Sequence, residues 1–190
     1  MADLETVPVT ADRWDDLETL FGSNGAYAGC WCMWFRHTTG AFDAAGAAGR
    51  RRELAELVAG DNQPGLLAYR DGQPVGWVAV GPRVEYDRLT SPRARVYQAF
   101  DDTPTWVITC FFVAKPDRGQ GVANALLVAA VGYAAEHGAA AVEGYPVELD
   151  GQRGDVHLYH GTMDMFARRG FVEVARFYGR PLVRLDLVAR

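Results

Sequence analysis

The chain has 190 residues, of which 49% are hydrophobic and 12% aromatic, and its 19 basic and 24 acidic side chains give a formal net charge of −5. This composition predicts a single domain over residues 1–190 with a sizeable core, and it excludes a disordered segment or a disulfide-stabilised miniprotein. The acidic balance argues against a nucleic-acid partner, because proteins that bind phosphate backbones carry a basic surface.

The predicted elements of the first half are, in chain order, a strand at residues 4–9, a helix capped by Thr10 and ended near Gly22, an irregular segment at 23–45, a helix at 47–58, and a hairpin with strands at 66–69 and 75–80. The hairpin is indicated by Asp71-Gly72, because Asp-Gly supplies the positive φ angles that a tight primed turn requires.

The predicted elements of the second half are a polar segment at residues 82–104 with a short helix around 86–89, a strand at 106–113, a helix at 122–137, a strand at 140–147, a polar loop at 150–159, a short helix at 162–169, and a hairpin with strands at 171–178 and 181–188. The apolar run at 106–113 is typical of a strand buried on both faces. Strand, helix and strand in succession predict a right-handed crossover with parallel strands. We therefore expect an α/β (α+β) fold with a mixed sheet flanked by helices.

A glycine-containing loop separates the predicted central strand from the helix that follows it. Gly119 and Gly121 precede a helix N-terminus, where main-chain N–H groups have no partner within the helix and carry the positive end of its dipole. This favours a phosphate or pyrophosphate ligand, with Arg118 adding charge or bracing the loop. The alternative is that the glycines only form a turn. The loop lacks the Gly-Lys-Ser/Thr ending of a P-loop, and Asn124 replaces the third small residue of a dinucleotide fingerprint.

The segment Arg118-Gly119-Gln120-Gly121-Val122-Ala123 resembles the acetyl-CoA loop of the GCN5-related N-acetyltransferase (GNAT) superfamily, which follows Gln/Arg-x-x-Gly-x-Gly/Ala. The predicted element order over nearly the whole chain is also similar to that family's order. The resemblance implies a mostly antiparallel sheet in which a central parallel pair of strands is splayed around acetyl-CoA, the acyl donor.

The same resemblance implies which residues bind the cofactor. The backbone from Gly119 to Asn124 is expected to hold the pyrophosphate, and the main chain from Phe111 to Val113 is expected to pair with the pantetheine arm. The implied cofactor-binding set is Phe111, Phe112, Val113, Arg118, Gly119, Gln120, Gly121, Val122, Ala123, Asn124 and Phe166. Phe166 stands four residues before Gly170-Phe171, where many family members have a tyrosine that protonates the departing thiolate.

Acetyl transfer to an amine needs a group that accepts a proton, an N–H that stabilises the oxyanion, and a proton for the thiolate. Phe166 has no proton to give, and the glutamate base that some family members carry on the central strand has no counterpart at Val107 or Thr109. The catalytic candidates are Tyr159, Tyr145, Glu143 and His160, with water as the alternative to each. We favour Tyr159 as the proton donor, because it leads into the predicted short helix.

Residues 30–37 crowd three aromatic rings, two thiols and a methionine into a predicted loop. Cys30 and Cys32 with His37 lack a fourth zinc ligand and the usual Cys-x-x-Cys spacing, so no metal site is predicted. The segment either packs as an anchor for the first two helices or forms a wall of the acceptor pocket, since in the resembling family this region borders the amine-binding groove.

The first residues are acidic where a signal peptide would be basic, and the sequence contains no apolar stretch of bilayer-spanning length. Three cysteines, Cys30, Cys32 and Cys110, cannot all pair within one chain, which suits a reducing compartment. We therefore expect a cytoplasmic protein without a membrane partner.

We predict an N-acetyltransferase that moves an acetyl group from acetyl-CoA to a primary amine, of a small molecule or a peptide, by direct attack in a ternary complex. The alternative is a non-catalytic acyl-CoA-binding sensor or interaction module, and Phe166 is its main support. We expect the amine acceptor to be the partner of this protein, and the assembly that we consider is a homodimer.

Overall fold

The computed structural model describes residues 4–91, 101–148 and 159–187. Its helices and strands are β1 (Leu4–Pro8), α1 (Trp14–Phe21), α2 (Thr39–Val58), β2 (Gly65–Arg70), β3 (Gln73–Pro82), α3 (Asp87–Thr90), β4 (Thr105–Val113), α4 (Val122–Glu136), β5 (Ala141–Gly144), α5 (Met163–Ala167), β6 (Val172–Phe177) and β7 (Arg180–Asp186). Within these described ranges, no helix combines the length and apolar character needed to cross a membrane.

Seven strands form one sheet in the order β1-β2-β3-β4-β5-β7-β6. β4 and β5 run parallel, whereas the other neighbouring pairs run antiparallel. Apolar side chains of α4 and α5 cover one face of the sheet, and those of α1 and α2 cover the other. The predicted fold, including the β4-α4-β5 crossover with parallel strands, is therefore confirmed.

Helix α4 lies directly against the sheet. Val122, Leu126 and Ala130 recur at a spacing of four residues and are at most 1% exposed, so they form its core-facing stripe. Gly76 of β3 permits this close approach, because a Cβ atom at that position would lie 2.6 Å from Cγ1 of Val122. The contact fixes the N-terminus of α4 beside the end of β4.

Two elements of the first half differ from the prediction. The helical segment α2 begins at Thr39, inside the segment 23–45 that was predicted to be irregular, and Thr38 caps it by accepting from the Ala41 N–H. A kink at Gly46, with a non-helical φ of +60° and ψ of 176°, divides it, and the part after this kink corresponds to the helix predicted at 47–58. The first half of α2 is rich in alanine and glycine and has no apolar period, which is why the sequence does not reveal it. Thr10 precedes a 3₁₀ turn, and its hydroxyl accepts from the Arg13 guanidinium at 2.6 Å without capping the main chain.

The parallel pair is short, and this opens the sheet. β5 ends at Gly144, so the prediction of a strand to residue 147 is wrong beyond that point, although Val147 makes an isolated bridge with Thr162. The pairing of β4 with β5 covers only residues 105–108. Residues 109–113 of β4 therefore have no strand on that side in the described part of the chain, and we call this opening the splay.

Parts of two predicted loops fall outside the description. Residues 92–100 of the polar segment 82–104 and residues 150–158 of the polar loop 150–159 lie outside the described residues. The short helix expected around 86–89 is present as α3.

Candidate active site

A cavity of about 450 Å³ lies between the end of β4 and the start of α4, and we call it the cofactor cavity. Its lining residues are Phe111, Val113, Asp117, Arg118, Gly119, Gly121, Val122, Ala123, Asn124 and Tyr159. Most of the predicted cofactor-binding residues are thus brought together here. A larger cavity of about 640 Å³ lies by Thr105, at the opposite end of β4, and none of the predicted site residues is among its described lining residues.

Two glycines of the loop line the cofactor cavity. Gly119 and Gly121 have φ angles of +73° and +83°, which glycine adopts without strain. A Cβ atom at either position would meet no other atom within 4 Å, so both glycines border open space. No side chain caps α4, which begins after Gly121, and its first N–H groups have no partner within the helix. This geometry fits an anionic group such as a pyrophosphate.

Two predicted cofactor ligands use their side chains to brace the loop. The Arg118 guanidinium donates to the Val113 carbonyl at 3.2 Å. The Gln120 amide donates to the Pro116 carbonyl at 2.8 Å, and its oxygen accepts from Arg70 at 2.8 Å. These bonds hold the loop against the strand end, so the main chain remains the part of Gln120 that can meet a ligand.

The edge of β4 at the splay follows from strand alternation. The Ala114 N–H donates to the Val75 carbonyl of β3 at 2.9 Å, which makes Phe112 and its β3 partner a hydrogen-bonded pair as well. The main chain of Phe112 therefore faces β3, whereas that of Phe111 and Val113 faces the splay. This corrects the prediction that all three residues pair with a ligand through their main chain.

Phe166 occupies the core and does not line the cofactor cavity. Its ring is completely buried and packs edge-on against the rings of Phe111 and Phe171, at centroid distances of 6.2 and 4.9 Å. The structure therefore gives Phe166 a packing role in place of the predicted contact with the cofactor.

A second cavity, of about 300 Å³, lies on the other side of Tyr159, and we call it the aromatic cavity. Its lining residues are Ala26, Tyr27, Ala28, Cys30, Cys32, Trp34, Phe35, Phe42, Thr109, Cys110, Tyr159 and His160. Tyr159 lines both cavities, so the two meet at its ring.

Tyr159 is held by stacking between aromatic rings. Its ring plane is within 2° of that of Phe112 at a centroid distance of 6.2 Å, and Tyr27 lies 5.5 Å away on a tilted ring. Partial burial raises the pKa of the Tyr159 phenol, against the opposing effect of the Arg118 cation. The hydroxyl therefore keeps its proton at neutral pH and can donate it.

His160 is oriented by the edge of β4. Its Nδ1 lies 3.0 Å from the Thr109 carbonyl, and its ring meets Phe35 edge-on at 5.4 Å. A carbonyl only accepts hydrogen bonds, so we assign the proton to Nδ1, and Nε2 of the neutral ring carries the lone pair. An imidazole in this form can accept a proton.

Glu143 and Tyr145, the other two catalytic candidates, belong to a buried ionic cluster. The Glu143 carboxylate lies 2.7 Å from Arg83 and 3.6 Å from Arg184, and Tyr145 donates to it at 3.4 Å. Burial raises the pKa of the Glu143 carboxyl, while the two arginines oppose that shift. Neither residue lines the cofactor or the aromatic cavity. The structure thus separates this pair from Tyr159 and His160.

The segment at residues 30–37 both packs and lines a cavity, so the two predicted alternatives are not exclusive. Trp31, Cys32 and Met33 are buried with side chains of α1 and α2. The Cys32 sulfur lies 3.0 Å from that of Cys110 on β4. The described residues contain no group of three or more His, Cys, Asp or Glu side chains arranged to hold a metal ion.

Sequence reasoning missed the aromatic residues upstream and downstream of that segment. Tyr27 and Phe42 line the aromatic cavity with Trp34, and Tyr27 and Trp34 remain 46% and 41% exposed. Large aromatic side chains are usually buried deeper than this. Residues 23–45 show no periodic apolar pattern that would predict that these rings lie together. Four non-glycine residues of this segment adopt positive φ angles, and such a backbone gives its side chains no regular spacing: Ala26, Ala28, Trp31 and Cys32.

A family model described as "Acetyltransferase (GNAT) family" matches residues 23–162. Among solved structures, the PaiA N-acetyltransferase of Thermoplasma acidophilum in complex with coenzyme A superposes with a TM-score of 0.56 at 10% identity, over 97% of this chain and 99% of that one. A GNAT-family acetyltransferase of Listeria monocytogenes gives 0.59 at 13% identity, over 98% of both chains. An acetyltransferase of Thermus thermophilus gives 0.54 at 16% identity, over 98% of this chain and 100% of that one. No curated protein matches significantly. At these identities the structural similarities establish the fold alone.

Proposed function

Because the chain belongs to the acetyltransferase (GNAT) family, we propose that it transfers an acetyl group from acetyl-CoA to the primary amine of a small molecule or a peptide. The observation that carries this proposal is the splay. β4 runs past the end of β5 beside a glycine loop at a helix N-terminus, and two cavities meet at that point. One cavity suits an anionic cofactor and the other a second substrate.

The chain's own groups suit the donor at three points. The N–H groups at the start of α4 and the left-handed glycines before it would bind the pyrophosphate. The main chain of Phe111 and the Val113 N–H would pair with the pantetheine arm as a neighbouring strand does, because Arg118 already donates to the Val113 carbonyl. Bound in this way, acetyl-CoA would supply an activated acetyl thioester, and Tyr159 is among the residues that line its cavity.

We assign the proton transfers to Tyr159, which lines both cavities, and to His160, which lines the aromatic cavity. The Nε2 atom of His160 would accept the proton of the attacking amine, because its Nδ1–H is committed to the Thr109 carbonyl. The Tyr159 phenol, protonated at neutral pH, would donate to the departing thiolate. Attack would be direct, in a ternary complex, since the amine and the donor would occupy two cavities that share Tyr159.

The test is turnover of acetyl-CoA with a broad panel of primary amines, followed as free CoA and as the mass of the acetylated product. We expect product with at least one amine. His160→Asn is the diagnostic variant, because its amide can still donate to the Thr109 carbonyl but offers no basic nitrogen; we expect a loss of about 10²-fold or more in kcat.

The second candidate function is a non-catalytic acyl-CoA-binding module, and it is favoured by Phe166, which replaces the family's acid with a buried ring. Calorimetry separates the two functions. Binding of acetyl-CoA without product from any amine of the panel would support the module and overturn the enzyme.

A further inference from the structure

We propose, on the basis of the function proposed above, that the acceptor is a primary amine attached to an aromatic group and carrying no second positive charge. The aromatic cavity would bind the ring, and the amine would lie at Tyr159 and His160. This class excludes polyamines, aminoglycosides and other acceptors that bear several ammonium groups.

The first argument is the composition of the cavity wall. Tyr27, Trp34, Phe35 and Phe42 provide most of its large side chains, and Trp34 meets Phe42 edge-on at a centroid distance of 5.1 Å. Aromatic rings prefer such edge-to-face or offset neighbours, and a ligand ring can extend the same arrangement. Tyr27 and Trp34 are 46% and 41% exposed, so part of each side chain is accessible to a ligand.

The second argument is charge. No aspartate or glutamate is among the described residues that line the aromatic cavity. Two arginines stack on rings of its wall, with the Arg88 guanidinium 3.8 Å from the Trp34 ring centroid and the Arg50 guanidinium 4.0 Å from that of Phe42. A second ammonium group bound in this cavity would lie near these two cations and beside no carboxylate of the described lining, which costs binding energy in a desolvated site.

The third argument is position. The aromatic cavity has a volume of about 300 Å³, at the small end of the range for ligand sites. Its lining includes Tyr159 and His160, the two residues proposed to transfer protons. Thr109 and Cys110, on the strand that borders the splay, close its inner side. With its nitrogen at Tyr159 and His160, an aromatic amine in this cavity would lie next to the cofactor cavity, which Tyr159 also lines.

The experiment compares 2-phenylethylamine with 1,4-diaminobutane and spermidine at saturating acetyl-CoA. Burial of one phenyl ring supports a preference of about 10- to 100-fold in kcat/KM for the aromatic amine. Equal or faster turnover of the diamine or spermidine would overturn this inference and leave the proposed function intact. If no amine of the panel gives product, the proposed function fails and the inference with it.

A pair of variants isolates the role of charge. Ala28 lines the cavity and has a φ angle of +49°, a conformation that aspartate and asparagine tolerate. Ala28→Asp is expected to shift the ratio of kcat/KM values at least tenfold toward the diamine, while Ala28→Asn, of the same size, leaves that ratio near the wild-type value. An equal shift in both variants, or none in either, would contradict the charge argument.

Discussion

The phenol of Tyr159 lies at the junction of the two cavities, and partial burial raises its pKa. We expect Tyr159→Phe to lower kcat by about 10²- to 10⁴-fold, because the ring stays stacked on Phe112 while the proton donor is lost. A donor works only when protonated, so the wild-type rate should fall at high pH, above the ordinary phenol value of about 10, and the variant should lack that fall.

The pH dependence of kcat at saturating substrates checks this role. Tyr178→Phe is the matched control, since Tyr178 is 77% exposed and lies in the turn between β6 and β7. Near-normal turnover of Tyr159→Phe would show that the thiolate departs without this proton.

Cys30 and Cys32, which line the aromatic cavity, are expected to react slowly with alkylating reagents, although each lies close to another thiol. The neighbouring Cys32 and burial raise the pKa of Cys30, and the neighbouring Cys110 and burial raise the pKa of Cys32. The thiolate is the reactive form, so a raised pKa lowers the reactive fraction at pH 8. Alkylation of these two cysteines by iodoacetamide should be at least about tenfold slower in the folded protein than in denaturant, where the ordinary value of about 8.5 applies.

Peptide mass spectrometry over a time course measures each site separately. Equal rates in the folded and the unfolded protein would show that neither thiol is held protonated by its surroundings.

At the scale of elements, the two ends of α4 allow a controlled test of the cofactor cavity. Gly121 before the helix and Gly138 after it have φ angles of +83° and +77°, and a Cβ atom at either would meet nothing within 4 Å. Gly121→Ala and Gly138→Ala should therefore cost similar stability, about 1 to 2 kcal/mol. Of these two glycines, only Gly121 borders the cofactor cavity. Only Gly121→Ala should therefore weaken acetyl-CoA binding more than tenfold, a loss of about 1.4 kcal/mol in binding free energy.

Calorimetric titration with acetyl-CoA and thermal unfolding measure the two effects. An equal loss of affinity in both variants would indicate general destabilisation, and no loss in either would remove the pyrophosphate from this loop.

The elements also show where sequence reasoning succeeds and where it ends. The glycine pattern at 119–121 placed the loop, and the apolar run at 106–113 placed the central strand, because both are local signals. The end of β5 at Gly144 is not encoded by a local signal, because it depends on where β5 stops pairing with β4. The aromatic cavity is less local still, because its wall combines residues 26–42 with β4 and with Tyr159 and His160.

At the scale of the whole molecule, Glu143 joins parts of the chain that are distant in sequence. It pairs with Arg83, which follows β3, and with Arg184 of β7, which also pairs with Asp101 at 3.0 Å. Removal of one charge from a buried ion pair leaves its partner poorly compensated. We expect Glu143→Gln to lower the free energy of unfolding by about 3 kcal/mol.

Denaturant unfolding measures that loss, and Glu56→Gln, in an exposed pair with Arg52, should show no measurable change. Because Glu143 lines neither cavity, the folded variant should keep its affinity for acetyl-CoA and its pH profile. A changed pH profile of kcat would return Glu143 to the set of catalytic candidates.

The splay has a consequence beyond binding, because residues 109–113 of β4 have no neighbouring strand on that side among the described residues. Such an edge is a template on which a strand from another chain can add, and that is a route to aggregation. His160 and Arg118 each occupy one carbonyl, at Thr109 and Val113, which shortens the stretch that a foreign strand could use. A donor arm bound between them would cover what remains. Binding of acetyl-CoA would then lower the tendency of the protein to aggregate.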